Sequence, residues 1–136
     1  MAEHRHRYDS GVTVTEALER DFTIDLTTFG RRSSHPRRIE IWYLYFEGVA
    51  YITGTPGPRD WYANVLSNPT IIFHLKESLR ADIPGHADVV TDPELRRKVF
   101  HAPNSDWYRT MEPIERLVNE SPMIRCDLRL DEATLL

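Results

Sequence analysis

The stretch IEIWYLYFEGVAYI, residues 39–52, decides the fold. Residues 39–46 are rich in β-branched and aromatic side chains. Their two alternating sets, Ile39/Ile41/Tyr43/Tyr45 and Trp42/Leu44/Phe46, are both apolar. That pattern reads as a strand covered on both sides, as in a small closed barrel with further elements packed outside it. Glu47-Gly48 makes a tight hairpin, and Val49, Ala50, Tyr51 and Ile52 return antiparallel to the first strand.

Working outward, the same antiparallel logic recurs. Phe22, Ile24 and Leu26 alternate upstream, the period-two signal of a half-buried strand. Ile71, Phe73 and Leu75 open another strand after Asn68-Pro69. Residues 79–90 form a further strand, bent at Pro84-Gly85 in the manner of a bulge at a barrel edge. Ile124, Cys126, Leu128 and Leu130 alternate with Arg125, Asp127, Arg129 and Asp131, which gives a last strand with one wet face.

Helix signals sit between these strands. Residues 15–20 suit a short entry helix capped by Thr13 or Thr15. Asp60 caps a helix carrying Trp61, Tyr62, Val65 and Leu66. Asp92-Pro93-Glu94 starts another with proline at its first position. Ser105 or Asp106 caps a segment with Trp107, Met111, Ile114 and Val118 near helical spacing, kinked or divided at Pro113. No βαβ rhythm and no glycine fingerprint of a dinucleotide fold occurs. The expected architecture is mainly β with helical insertions (α+β), about six antiparallel strands. A tail over residues 1–12 precedes a single domain over residues 13–136.

Composition excludes several functions. The 136 residues are 40% hydrophobic and 28% charged, the balance of an ordinary globular domain. A formal net charge of −4 argues against nucleic acid, which needs an extended basic face. One cysteine, Cys126, rules out an internal disulfide framework, and its mid-strand position makes it a core residue. The longest apolar run, residues 41–46, is far short of the roughly 20 residues a membrane span needs. Residues 1–11 lack the apolar core of a signal peptide, so a cytoplasmic protein is expected, with no membrane insertion. The histidines show no ligand spacing, and no metal site is expected.

Against that acidic background, LTTFGRRSSHPRR at residues 26–38 releases four arginines from one turn. Gly30 permits the bend, Arg31, Arg32 and Ser33 present charge and a hydroxyl, and Pro36 stiffens the return before Arg37. Guanidinium groups grip phosphate or carboxylate in a bidentate fork. A solvated hairpin tip would use the same residues. The loop TGTPGPR at residues 53–59 leads into the helix at Asp60, and its glycines let backbone N–H groups approach an anion. The hairpin of residues 39–52 brings the two loops to one end of the barrel. Trp42, Tyr43, Trp61 and Tyr62 could wall a flat ring, or serve as ordinary packing.

The two motifs LTTFGRRSSHPRR and TGTPGPRDWYANVLSNP together resemble the deazaflavin (F-420)-dependent nitroreductase family. Its members are split β-barrel proteins related to flavin-binding pyridoxamine-phosphate oxidases. The family pattern is roughly L-T-T-x-G-R-[KR]-S-G-x-x-R, then a glycine-rich loop, then D-W-Y-x-N-L-x-A-N-P. The resemblance is strong over residues 22–76 and looser beyond. It implies a split β-barrel oxidoreductase that binds the reduced deazaflavin coenzyme F-420 and delivers hydride to a small organic acceptor, such as a quinone, an enone or a nitro compound. Flavin mononucleotide (FMN) is the alternative cofactor, and a non-catalytic cofactor or small-acid binder the alternative function. By the same resemblance, Arg31, Arg32, Ser33 and Arg37 match positions that hold the coenzyme's phosphate and acidic tail. Thr53, Gly54 and Thr55 match the loop beside phosphate and ring, Trp61 and Asn64 the helix that buttresses it, and Trp42 a bulky position near the ring. Ser34 stands where the pattern has glycine, and Val65 and Ser67 vary the helix. The loop before Asp60 lacks the family's lysine, for which Arg59 substitutes. Split barrels commonly pair through sheet faces, so a homodimer is within expectation.

Such chemistry asks little of the protein beyond orientation and a proton. Residues 104–118 read as an acceptor-side lid in which Trp107, Met111 and Ile114 form the apolar face. Tyr108, adjacent to Trp107, then points elsewhere and offers its hydroxyl at the cofactor's open face as the candidate catalytic residue.

Overall fold

The computed structural model describes residues 11–136. The expected tail therefore lies largely outside the described residues. Eight strands form one antiparallel sheet: β1 (Thr23–Phe29), β2 (Pro36–Trp42), β3 (Leu44–Phe46), β4 (Val49–Thr53), β5 (Thr70–Leu75), β6 (Ala81–Val89), β7 (Met123–Leu128) and β8 (Thr134–Leu135). Their order is β2-β1-β5-β6-β7-β4-β3, with β8 added beside β6. The two ends of that order, β2 and β3, are separated in the chain only by Tyr43. The sheet therefore curls until its ends meet, joined by the chain and not by a ladder of hydrogen bonds. This is the expected split β-barrel, with more strands than expected.

The additional strands have local causes. Residues 39–46 break at Tyr43, whose buried ring packs edge-on against Phe73 at 5.1 Å. Its hydroxyl donates to the Leu18 carbonyl at 2.8 Å, at the end of helix α1 (Val14–Arg20). Burial and the nearby Asp21 and Glu77 carboxylates raise its ionisation well above the usual phenol range. Here β2 departs from the expectation of two covered faces, because Ile39 and Trp42 are exposed. The strand ends the sheet order, and the rings of Phe22 and Trp107 that meet Trp42 at 4.8 and 5.4 Å leave it partly uncovered. Pro84-Gly85, expected at an edge, falls instead in β6, which pairs β5 and β7. A Cβ at Gly85 would lie 2.8 Å from the Asp127 carbonyl oxygen, so glycine is required for β7 to approach.

The hairpin and helix chemistry follows its residues. Glu47 and Gly48 both have positive φ (51° and 79°), the signature of a type I′ turn. Thr13 caps α1 in a full capping box with Glu16. Helix α2 (Asp60–Ser67) is preceded by Arg59 as N-cap, so Asp60 is its first residue and not its cap. Asp92 caps α3 (Pro93–His101), and Pro113 divides α4 (Asp106–Met111) from α5 (Ile114–Glu120).

Two apolar cores result. One fills the barrel with Ile24, Leu26, Ile52, Phe73, Ile83 and Ile124, and receives Trp61 and Val65 from α2. The other lies beneath the late helices and gathers Leu44, Tyr51, Phe100, Tyr108, Leu117 and Met123. Cys126 is buried on β7, and burial raises its thiol above the usual range, which disfavours the reactive thiolate. The helical layer thus packs against the β3–β4 side of the seam, and the arginine turn hangs from the β1–β2 side.

Candidate active site

The turn between β1 and β2 builds its shape from three residues. Gly30 donates its N–H to the His35 carbonyl (2.9 Å) and accepts from the Ser34 N–H (3.1 Å). The Ser33 hydroxyl accepts from the His35 N–H at 3.2 Å. Ser34 has φ of 60°, a left-handed conformation that glycine adopts freely and serine holds at a cost of about 1 kcal/mol. The glycine of the family pattern is thereby explained, and this chain reaches the same bend without it.

Beside the turn runs a groove of about 770 Å³, lined by Thr28, Gly30, Arg31, Arg32, Ser33, Arg37, Ile39, Asp60, Trp61 and Asn64. Three guanidinium groups face one carboxylate there, in a chain whose overall charge is negative. Arg31 is held: its Nη1 donates to Asn64 Oδ1 at 3.1 Å. Arg32 and Arg37 have no hydrogen-bond or ion-pair partner among the described residues, and are free to meet an outside anion. Arg38 leaves the group. Strand alternation turns it to the other face, where it pairs with Asp25 at 3.0 Å alongside Lys76. The arginine cluster that can serve one ligand is three and not four.

At Trp61 the groove meets a second pocket of about 280 Å³, lined by Glu40, Ile41, Trp42, Thr53, Gly54, Thr55, Arg59, Trp61, Trp107 and Tyr108. The chain has three tryptophans, and all three line this pocket. Trp42 meets Trp107 edge-on with ring centroids 5.4 Å apart, and Trp107 meets Tyr108 edge-on at 5.3 Å. The Trp42–Trp107 contact spans from β2 to α4 along the pocket wall.

The loop between β4 and α2 is braced from within. Arg59 donates to the Gly57 carbonyl (3.0 Å), the Thr55 carbonyl (2.9 Å) and the Thr55 hydroxyl (3.1 Å). A Cβ at Gly54 would touch its Nη2 at 2.9 Å. Most of the Arg59 donors are therefore spent on holding the loop. Thr53, expected beside the ligand, gives its hydroxyl to the Pro122 carbonyl at 2.5 Å. Only its backbone and Gly54 remain to face the pocket.

Tyr108 reverses the expected phase of α4. It is 4% exposed and packs on Phe100, whereas Trp107 and Met111, expected as the apolar face of the segment, are 46% and 54% exposed. Yet Tyr108 lines the tryptophan pocket, and its hydroxyl has no hydrogen-bond partner among the described residues. Burial pushes that hydroxyl up to about 12, with the Arg59 guanidinium acting in the opposite direction. It remains a protonated donor at neutral pH. Because the folded state favours the neutral phenol, its contribution to stability is complete below pH 10 and is lost between pH 10 and about 12.

Sequence reasoning did not single out Thr28 or Ile39 as site residues, and it placed Trp107 on the apolar face of a lid and not in the wall of this pocket. Thr28 belongs to the Leu26-Thr27-Thr28 motif, whose two threonines point to opposite faces. Thr27 bonds His74 Nε2 at 2.7 Å on one face, and Thr28 bonds Asn64 Nδ2 at 3.0 Å on the other. The arrangement as a whole offers free cations in an open groove, then an aromatic box with one unpaired hydroxyl. It suits an elongated ligand with an acidic tail and a flat ring.

The family model described as F420H(2)-dependent quinone reductase matches residues 1–111. No curated protein matches the chain. Among solved structures, an F420 reductase superposes with a TM-score of 0.64 at 20% identity, covering 87% of this chain and 93% of that one. The heme storage protein HutZ from Vibrio cholerae gives 0.67 at 15% identity, covering 90% and 91%. A conserved hypothetical protein from Mycobacterium tuberculosis gives 0.66 at 18% identity, covering 93% and 86%. These structures share the split-barrel fold. No helix among the described residues is long and apolar enough to cross a membrane.

Proposed function

The chain belongs to the F420H(2)-dependent quinone reductase family, an oxidoreductase family that uses the deazaflavin coenzyme F-420, and we propose that its arginine groove and tryptophan pocket form one continuous coenzyme and acceptor site. Arg31, Arg32 and Arg37, with Ser33, hold the phosphate and carboxylates of the tail. Trp42, Trp61 and the backbone at Thr53, Gly54 and Thr55 flank the ring. The observation that carries this reading is the junction at Trp61. That one side chain lines both a groove with two guanidiniums that have no partner among the described residues and the pocket lined by every tryptophan of the chain.

When bound, the reduced coenzyme supplies hydride, and the protein's task is orientation, dryness and a proton. Trp107 and Trp42 keep water from the ring face. Tyr108 holds a proton at Oη and donates it, or a hydrogen bond, to the acceptor's oxygen as negative charge develops there. Quinones, enones and nitro compounds all present such an oxygen on a planar frame, and that is the acceptor class proposed.

Two measurements test this reading. Calorimetric titration with the deazaflavin coenzyme and with FMN is expected to show the deazaflavin binding at least about tenfold tighter, because three guanidiniums along a 770 Å³ groove exceed what one phosphate needs. Tighter FMN binding would move the protein to flavin chemistry. Tyr108→Phe is expected to lower turnover by about 10- to 100-fold with coenzyme affinity and melting temperature nearly unchanged. The wild-type rate should show no tyrosine-dependent alkaline fall below pH 10, since the phenol stays protonated up to about 12. Unaltered rates in Tyr108→Phe with quinone, enone and nitro acceptors would reduce Tyr108 to packing.

A further inference from the structure

We infer that Thr28 is a positioning residue that acts through Asn64 to aim Arg31 into the coenzyme-tail groove; this rests on the coenzyme reading above. Thr28 and Asn64 are 2% and 5% exposed, so both line the groove as buried side chains set into its wall. Asn64 Nδ2 donates to Thr28 Oγ1 at 3.0 Å, and Asn64 Oδ1 accepts from Arg31 Nη1 at 3.1 Å. The three side chains come from β1, α2 and the turn after β1, and converge where α2 crosses the sheet.

The order of the relay is fixed by donor chemistry. A guanidinium has only N–H donors, so the amide atom that faces Arg31 must be the oxygen. The amide NH2 then faces Thr28, which must supply an acceptor. The threonine hydroxyl supplies that acceptor on a residue the strand favours, whereas valine of the same shape has no lone pair. Without that acceptor, a buried NH2 is left unpaired. It gains a partner only by rotating, and rotation takes Oδ1 away from Arg31. Arg31 then joins Arg32 and Arg37 as an untethered cation, and loses the pre-organisation that lets it bind an anion without first being ordered.

The test compares two ligands on the full chain. One is the deazaflavin coenzyme with its phosphate and carboxylate tail, and the other a tail-less deazaflavin that ends at its ribityl alcohol. Wild type is expected to bind the tailed form far more tightly. Thr28→Val is expected to weaken the tailed form by about 3- to 10-fold, the scale of one buried hydrogen bond, while the tail-less form changes by less than about twofold. Thr28→Ser is expected to restore wild-type affinity. If the threonine acts through Asn64, Asn64→Leu should cost at least as much, and adding Thr28→Val to it should cost nothing more. Equal loss for both ligands in Thr28→Val, no loss for either, or additive losses in the double variant would overturn the inference and leave the coenzyme reading standing. A wild type that does not distinguish the two ligands would overturn both. Should Thr28→Val fail to fold, Asn64→Leu and Thr28→Ser carry the same comparison.

Discussion

Replacing Arg31 and Arg32 together with alanine is expected to weaken coenzyme binding by roughly 100-fold or more, with the melting temperature almost unchanged. Each charge-assisted contact to phosphate or carboxylate exceeds an ordinary neutral hydrogen bond, and the pair supplies two of the three groove cations. Both side chains are exposed, and among the described residues only Arg31 has a partner, the Asn64 amide. Their loss therefore removes little from the folded state. Affinity in the double variant should also depend less steeply on salt, because fewer screened charge pairs remain. Isothermal titration at two salt concentrations checks both parts. Unchanged affinity would return the turn to a solvated hairpin tip.

Replacing Arg96 with methionine is expected to destabilise the protein by about 3–5 kcal/mol, the largest loss of stability predicted here. Arg96 is buried on α3, and its guanidinium donates to the Val118 carbonyl (2.6 Å), the Val90 carbonyl (2.8 Å) and the Ser121 carbonyl. No carboxylate among the described residues pairs with it. Burial lowers its ionisation from the usual guanidinium range, and three carbonyl dipoles take the place of a counter-ion. The side chain thus ties α3 to the end of α5 and to the chain leaving β6. Methionine matches the stem but leaves three carbonyls without donors. Urea unfolding would measure the loss, and a change below about 1 kcal/mol would show that water replaces the guanidinium. The damage should centre on the helical layer, so acceptor turnover through Tyr108 should fall more than coenzyme affinity does.

The sequence revealed most where chemistry is local. A strand pair around Glu47-Gly48, proline at the start of α3, and arginines released after Gly30 each carry their own cause, and all are found as read. The phase of α4 was not legible. Trp107 and Tyr108 are neighbours on a six-residue helix, and either could face inward until Phe100 and the barrel seam select Tyr108. The exposure of Ile39 and Trp42 was hidden for a related reason. An apolar strand reads as covered, and only the sheet order shows that β2 lies at the open end. Arg38 illustrates the converse. Its neighbours in sequence suggest one cationic cluster, but strand alternation sends it to Asp25. Thr28 was in plain view within the motif, yet its partner lies on α2, 36 residues away. Contacts of that span are set by the fold and leave no periodic trace.

The account's central claim is that one ligand occupies groove and pocket together, tail on the arginines and ring among the tryptophans. Because all three tryptophans line that pocket, their fluorescence is a direct reporter of the ring. Titration of the full chain with the deazaflavin coenzyme should quench tryptophan emission saturably, with one coenzyme per chain and an affinity that falls as salt is raised. Tight binding that leaves the tryptophan emission untouched, or quenching that ignores salt, would contradict it.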